Sequence, residues 1–109
     1  MKRTKVTFSE AKLNYSCDLM RALAHPLRLR ILEYIDDEGE TNVNKIYMSL
    51  NIEQSITSQH LRVLRLADVV QCEREGKMVV YKIKYDVVTK AETALNNFLA
   101  KEKELTNRV

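Results

Sequence analysis

Apolar residues recur along this chain first at helical spacing, then at strand spacing, and finally at helical spacing again. From about Phe8 to Ala24, Phe8, Ala11, Tyr15, Leu19 and Leu23 fall on one helical face, and Leu13, Cys17, Met20 and Ala24 fall on the opposite one. A helix that is apolar on two sides needs cover on two sides, which in so short a chain points to a subunit interface. Pro26 opens a second helix, where its missing N–H costs nothing. Leu27, Ile31, Tyr34 and Ile35 give this helix a core-facing stripe, and Gly39 ends it. Val43, Ile46, Tyr47 and Leu50 mark a short third helix, with Asn51 as a left-handed stop. A fourth helix runs from Gln54 to about Ala67. The period then changes to two. Val69 to Arg74 and Met78 to Ile83 read as strands, with Val79, Tyr81 and Ile83 alternating against Val80, Lys82 and Lys84. Glu75-Gly76-Lys77 joins them as a tight hairpin. The last segment, from about Asp86 to Leu105, carries Val88, Ala91, Leu95, Phe98 and Leu105 at heptad-like spacing, so it is expected to lie on another helix.

The expected fold is mainly α with a β-hairpin wing, in the order four helices, two strands and a long terminal helix. A short helix, a turn, a second helix and a hairpin together make a winged helix-turn-helix. All 109 residues are expected to form one such domain, with the first six or so as a flexible tail and the first and last helices as dimerisation helices.

The fourth helix carries the chemical signal. Setting residues about 100° apart places Gln54, Ser55, Ser58, Gln59, Arg62 and Arg65 within an arc of roughly 140°. Ile56, Thr57, His60, Leu61, Val63 and Leu64 take the other side, with Leu66 as the misfit. The polar arc holds amides, hydroxyls and guanidinium groups, and no acid. Amides and hydroxyls donate and accept, as readers of base edges in a major groove must. The two arginines suit phosphates. An ordinary solvated helix face mixes both charge signs, so the absence of acids favours duplex DNA as partner. In the wing, Arg74 and Lys77 are placed to reach the DNA backbone, with Glu73 and Glu75 opposing them.

Composition adds boundaries. The chain is 45% hydrophobic and 30% charged, close to globular averages. No apolar run approaches the ~20 residues that span a bilayer, and the basic start Met1-Lys2-Arg3-Thr4-Lys5 is not followed by the apolar core of a signal peptide. A cytoplasmic protein without a membrane partner is expected. A net charge of +3 permits a polyanionic partner without requiring one. The chain has no Gly-rich phosphate loop, no nucleophile–base pair and no metal-ligand cluster, so neither enzymatic activity nor a cofactor is expected.

Three stretches carry a resemblance to the ArsR/SmtB family of winged-helix repressors. They are Arg21-Ala22-Leu23-Ala24-His25-Pro26-Leu27-Arg28-Leu29-Arg30-Ile31-Leu32, Gln54-Ser55-Ile56-Thr57-Ser58-Gln59-His60-Leu61-Arg62-Val63-Leu64 and Arg74-Glu75-Gly76-Lys77-Met78-Val79-Val80-Tyr81. The resemblance implies a homodimer built from the first and last helices, with the fourth helix in the major groove of an imperfect palindromic operator. It places Gln54, Ser55, Ser58 and Gln59 where such repressors touch bases. It also implies two metal-sensing sites, and here the chain departs. A Cys-x-Cys pair at the start of the third helix is matched by Asn42 and Asn44. The last helix offers Asn96 and Asn97 where an imidazole is expected. Neutral amides are poor ligands for Zn²⁺ or Ni²⁺, so no metal is expected. Glu53 replaces the small hydroxyl residue usual before the recognition helix. Its carboxylate suits the helix dipole but repels a phosphate.

Two competing readings remain at this level. One is a winged-helix module that binds protein rather than DNA, which the low net charge and Glu53 favour and the acid-free arc disfavours. The other is a repressor responsive to redox or persulfide chemistry through Cys17 or Cys72. Against that stands the reading of both cysteines as small buried hydrophobes, Cys17 on the second face of the first helix and Cys72 on the strand face of Val70. His25, next to Pro26, reads as a local cap and His60 as a packed side chain. Asp36-Asp37-Glu38 reads as a solvated turn.

Overall fold

The computed structural model describes residues 10–107, and within them eight elements. Helix α1 spans Glu10–Leu23, α2 Pro26–Glu38, α3 Val43–Leu50, α4 Gln54–Leu66 and α5 Tyr85–Asn107. Strand β1 is Thr41–Asn42, β2 is Val70–Glu75 and β3 is Met78–Ile83. Phe8 and the expected N-terminal tail lie outside the described residues. So do the side chains of Ala11, Leu13, Tyr15, Leu95, Phe98 and Leu105.

Helix boundaries follow local chemistry. His25 is the N-cap of α2: its Nδ1 accepts the Leu27 N–H at 3.2 Å, and Pro26 takes the first helical position. Gly39, at φ +79°, closes α2 in a conformation that side chains with a Cβ rarely adopt. Asp36, Asp37 and Glu38 form the last turn of α2 and are exposed, in line with the solvated turn expected there. Asp36 also has a partner, accepting the Tyr85 hydroxyl at 2.7 Å where α5 begins. Asn42 caps α3 and Asn51 ends it at φ 56°, ψ 51°.

The sheet corrects the expected two-stranded wing. Its order is β1-β3-β2, all antiparallel, with Thr41 opposite Tyr81 and Asn42 opposite Val80. The hairpin turn is also shorter than expected. Glu75 pairs with Met78, which leaves Gly76 and Lys77 as a two-residue turn with Gly76 at φ +63°. Strand alternation holds for Tyr81 and Ile83, which pack on the core. Val80, on the opposite face, is also buried, beside β1.

Ile31, Ile35, Ile46, Leu61, Leu64, Val69 and Val70 form the fully buried centre, with Ala22 and Leu32 against them. Each helix α1 to α4 and the hairpin contributes at least one residue to this cluster. The core thus clamps α4 from behind and leaves its other side outward. Ser49 donates to the Tyr34 hydroxyl at 3.1 Å, tying α3 to α2, and Lys84 pairs with Asp68 at 2.7 Å after α4. Among the described residues, no helix is long and apolar enough to cross a membrane.

Candidate nucleic-acid interface

Helix α4 is held by three inward side chains, Thr57, Leu61 and Leu64, each buried to 1% exposure or less. The Thr57 hydroxyl is satisfied locally, donating to the Glu53 carbonyl at 2.9 Å. Gln54, Ser55, Ser58, Gln59, Arg62 and Arg65 are all exposed. The outward face is wider than the polar arc alone, because Ile56, Val63 and Leu66 are exposed as well. The sequence pattern put Ile56 and Val63 on the buried side. The core grips only an arc of roughly 60°, so residues at its margins stay open.

Glu53 stands at the N-cap without a side-chain capping bond, and its exposed carboxylate is the acid next to the start of α4. The four N–H groups of that first turn therefore gain nothing from its side chain except the dipole interaction.

The wing's charges separate by face. Residues opposite one another on antiparallel strands share a face, so Val70, Cys72 and Arg74 lie with Ile83, Tyr81 and Val79. Gln71, Glu73 and Glu75 lie on the other face with Lys82. Lys82 pairs with Glu40 at 3.3 Å. That hydrogen bond, the Glu40 charge, and then Glu73 and Glu75 hold its ammonium above the ordinary value. The acids of the wing are thus gathered around Lys82, and Arg74 points to the opposite side. The sheet face that Arg74 shares is the one Arg65 approaches. Burial raises the Tyr81 hydroxyl above its ordinary value, Cys72 adds to the rise, and Arg65 on α4 opposes it. Arg74 and Lys77 are both exposed. The register thus puts Glu73 and Glu75 on the sheet face opposite to Arg74 and leaves Lys77, in the turn, on neither.

Of the residues that match family metal ligands, Asn42 has a structural role. Asn42 Oδ1 accepts the Lys45 N–H at 3.0 Å and so caps α3, while its Nδ2 lies 3.8 Å from the Met78 sulfur. Among the described residues, no three His, Cys, Asp or Glu side chains come together as a metal-binding group. Cys72 is half-buried, and Cys17 is exposed on α1 in the single chain.

Sequence reading missed Arg28. This half-buried side chain of α2 donates from Nε to the Ala22 carbonyl at 2.7 Å and from one Nη to the Arg21 carbonyl at 2.9 Å. Its other Nη lies 3.3 Å from His60 Nδ1 on α4, and the His60 and His25 rings stand 4.7 Å apart. Nothing in the spacing of apolar residues signals a side chain that joins three helices.

A profile of bacterial regulatory proteins of the arsR family matches residues 25–71, which covers the second, third and fourth helices and the start of the wing. Beyond that stretch, the biofilm growth-associated repressor of Xylella fastidiosa is 31% identical over 96 residues, 87% of this chain and 83% of that protein. This chain belongs to the ArsR family. The transcriptional repressor SmtB of Mycobacterium tuberculosis is 37% identical over 71 residues, 65% of this chain. The match spans 52%, about half, of that repressor's length. In three dimensions, a homodimeric winged helix-turn-helix DNA-binding domain from Mycobacterium bovis, a possible ArsR-family transcriptional regulator, superposes with a TM-score of 0.69 at 28% identity. The superposition covers 90% of this chain and 92% of that one. The ArsR-family fold is thus present from α1 to α5.

Proposed function

We propose that this ArsR-family chain is a transcriptional repressor that binds duplex DNA as a homodimer and occludes a promoter. The observation that carries the proposal is the acid-free outward face of α4, gripped from behind by Thr57, Leu61 and Leu64. In this reading Gln54, Ser55, Ser58 and Gln59 meet base edges in the major groove, and Arg62 and Arg65 meet phosphates. Arg74 and Lys77 carry the wing along the adjacent backbone, with Glu73 and Glu75 held away on the other sheet face. Backbone contacts supply salt-dependent affinity and base contacts supply sequence preference.

The homodimer is the other half of the proposal. Cys17, Met20 and Ala24 leave the second face of α1 exposed in the single chain, with Met20 at 66%. An apolar groove of about 660 Å³ between α2 and α5, lined by Leu29, Leu32, Tyr85 and Val88, is likewise open. A two-fold partner that covers these surfaces with its own α1 and α5 sets two copies of α4 side by side. The operator is then an imperfect palindrome. Such a protein works where the DNA is, in the cytoplasm, and needs neither catalysis nor a metal.

Mutants sort the contacts. Ser58→Ala and Gln59→Ala are expected to relax sequence preference with little loss on random DNA. Arg62→Ala and Arg65→Ala are expected to weaken binding to every sequence, each lowering the slope of log affinity against log salt by about one. Identical behaviour of the two pairs contradicts the assignment. Absence of binding to any duplex at low salt contradicts the function and leaves the protein-binding module in its place.

A further inference from the structure

The three-helix contact made by Arg28 has a consequence for recognition. The last carbonyls of a helix lack partners within it, and at the end of α1 the Arg28 guanidinium supplies two, to Arg21 and Ala22. An arginine only donates, so its third contact requires His60 Nδ1 to be an acceptor. His60 is then a neutral imidazole with its proton on Nε2. It is the residue after Gln59, on the edge of α4 that turns toward α1 and α2. The two ends of this link are the helix assigned to the dimer interface and the helix assigned to DNA.

We propose that Arg28 is a positioning residue for DNA recognition: acting through His60 Nδ1, it ties α4 to the C-terminal end of α1, and protonation of His60 undoes the tie. The inference rests on the proposed function, since it concerns how the reading helix is held relative to the dimer. An imidazolium has no lone pair for Arg28 to donate to, and it adds a second positive charge 3.3 Å from the first. The charged and titratable groups around the junction are Asp18 and Arg21 from α1, paired at 3.5 Å, and His25 and Arg28 from α2. The one acid among them, Asp18, stands on the exposed side of α1 beside Arg21, and the two groups that act on the His60 ring, His25 and Arg28, are both basic. Burial, and then the charges of His25 and Arg28, accordingly hold His60 below its ordinary value, so the tie is made at neutral pH.

The sign of the effect separates this device from ordinary electrostatics. Protonating a histidine near a polyanion makes the protein more cationic and tightens non-specific binding. Release of the tie instead loosens the orientation on which base reading depends. The test uses the full chain, a duplex it selects from a randomised pool, and a random duplex, with affinities measured at fixed salt from about pH 7.5 to about 5.5. The ratio of specific to random affinity is expected to fall about ten-fold across that range in the wild type. His60→Asn places an amide oxygen near the position of Nδ1 and does not titrate. It is expected to keep the neutral-pH ratio and to flatten the profile. Arg28→Lys keeps the charge but loses the fork, and is expected to lower the ratio at every pH while circular dichroism retains the helix signal. In the free chain, nitrogen NMR is expected to find the His60 proton on Nε2 at neutral pH. A selected duplex whose ratio does not change with pH overturns the tie, as does an equal fall in His60→Asn or a proton on Nδ1. A chain that selects no duplex at neutral pH overturns the proposed function instead.

Discussion

Asn42 shows how one side chain decides a local structure. It ends β1, caps α3 through Oδ1 and reaches the wing through Nδ2. Removing such a cap typically costs about 1 kcal/mol, so Asn42→Ala is expected to lower stability by that amount in a denaturant titration. Loss of less than a few tenths of a kcal/mol contradicts the capping role. The sequence reading identified Asn42 as a residue unable to supply a thiolate, but its cap is a backbone geometry that residue type alone does not reveal. His25 was more legible, because a residue immediately before a helix-opening proline has few roles other than cap. Arg28 was not legible at all, since its three partners lie on helices that only the fold brings together. His60 adds a pH dependence to stability. Its neutral form is favoured on folding, so its contribution is present above about pH 6.5 and is lost as pH falls below that value. Thermal midpoints measured from neutral pH downward are expected to fall in the wild type and to fall less in His60→Asn.

The helices were legible because each carries an apolar repeat, sharpened in α2 and α3 by Pro26, Gly39 and Asn51 at the ends. Helix α4 begins at Gln54 as expected and ends at Leu66, one residue short of the expected Ala67, and its polar residues are outward as the repeat requires. What the repeat did not reveal is how narrow the grip is. Three side chains hold α4, and Ile56 and Val63 remain open at 36% and 38%. Leu64 makes a direct test of that grip. Its side chain is fully buried, and Leu64→Ala is expected to cost about 3 kcal/mol, measured by chemical unfolding. A cost under 1 kcal/mol would mean that α4 is not held through this face. Strand β1 carries no sequence signal because two polar residues, Thr41 and Asn42, show no detectable period. It exists through pairing with β3, a contact between segments almost forty residues apart. The faces of the wing were hidden for a related reason. Glu73, Arg74 and Glu75 are consecutive in sequence, and only the strand register shows that the acids and the arginine point apart.

At the scale of the molecule, the single chain leaves apolar surface where the first and last helices stand. Met20, exposed to 66% on the second face of α1, is the residue through which the proposed dimer is most easily broken. Met20→Glu introduces a like charge on both sides of a two-fold contact and is expected to give a folded monomer by sedimentation at micromolar concentration. An unchanged dimer would place the interface elsewhere. A dimer and an acid-free reading helix together require two half-sites whose separation matches the DNA repeat. The most direct measurement is therefore a footprint of the wild-type chain on duplexes it selects from a randomised pool. A protected imperfect palindrome is expected, with half-site centres about one helical turn, roughly 10 base pairs, apart. No enrichment from the pool, or protection of one half-site without a symmetric mate, would contradict it.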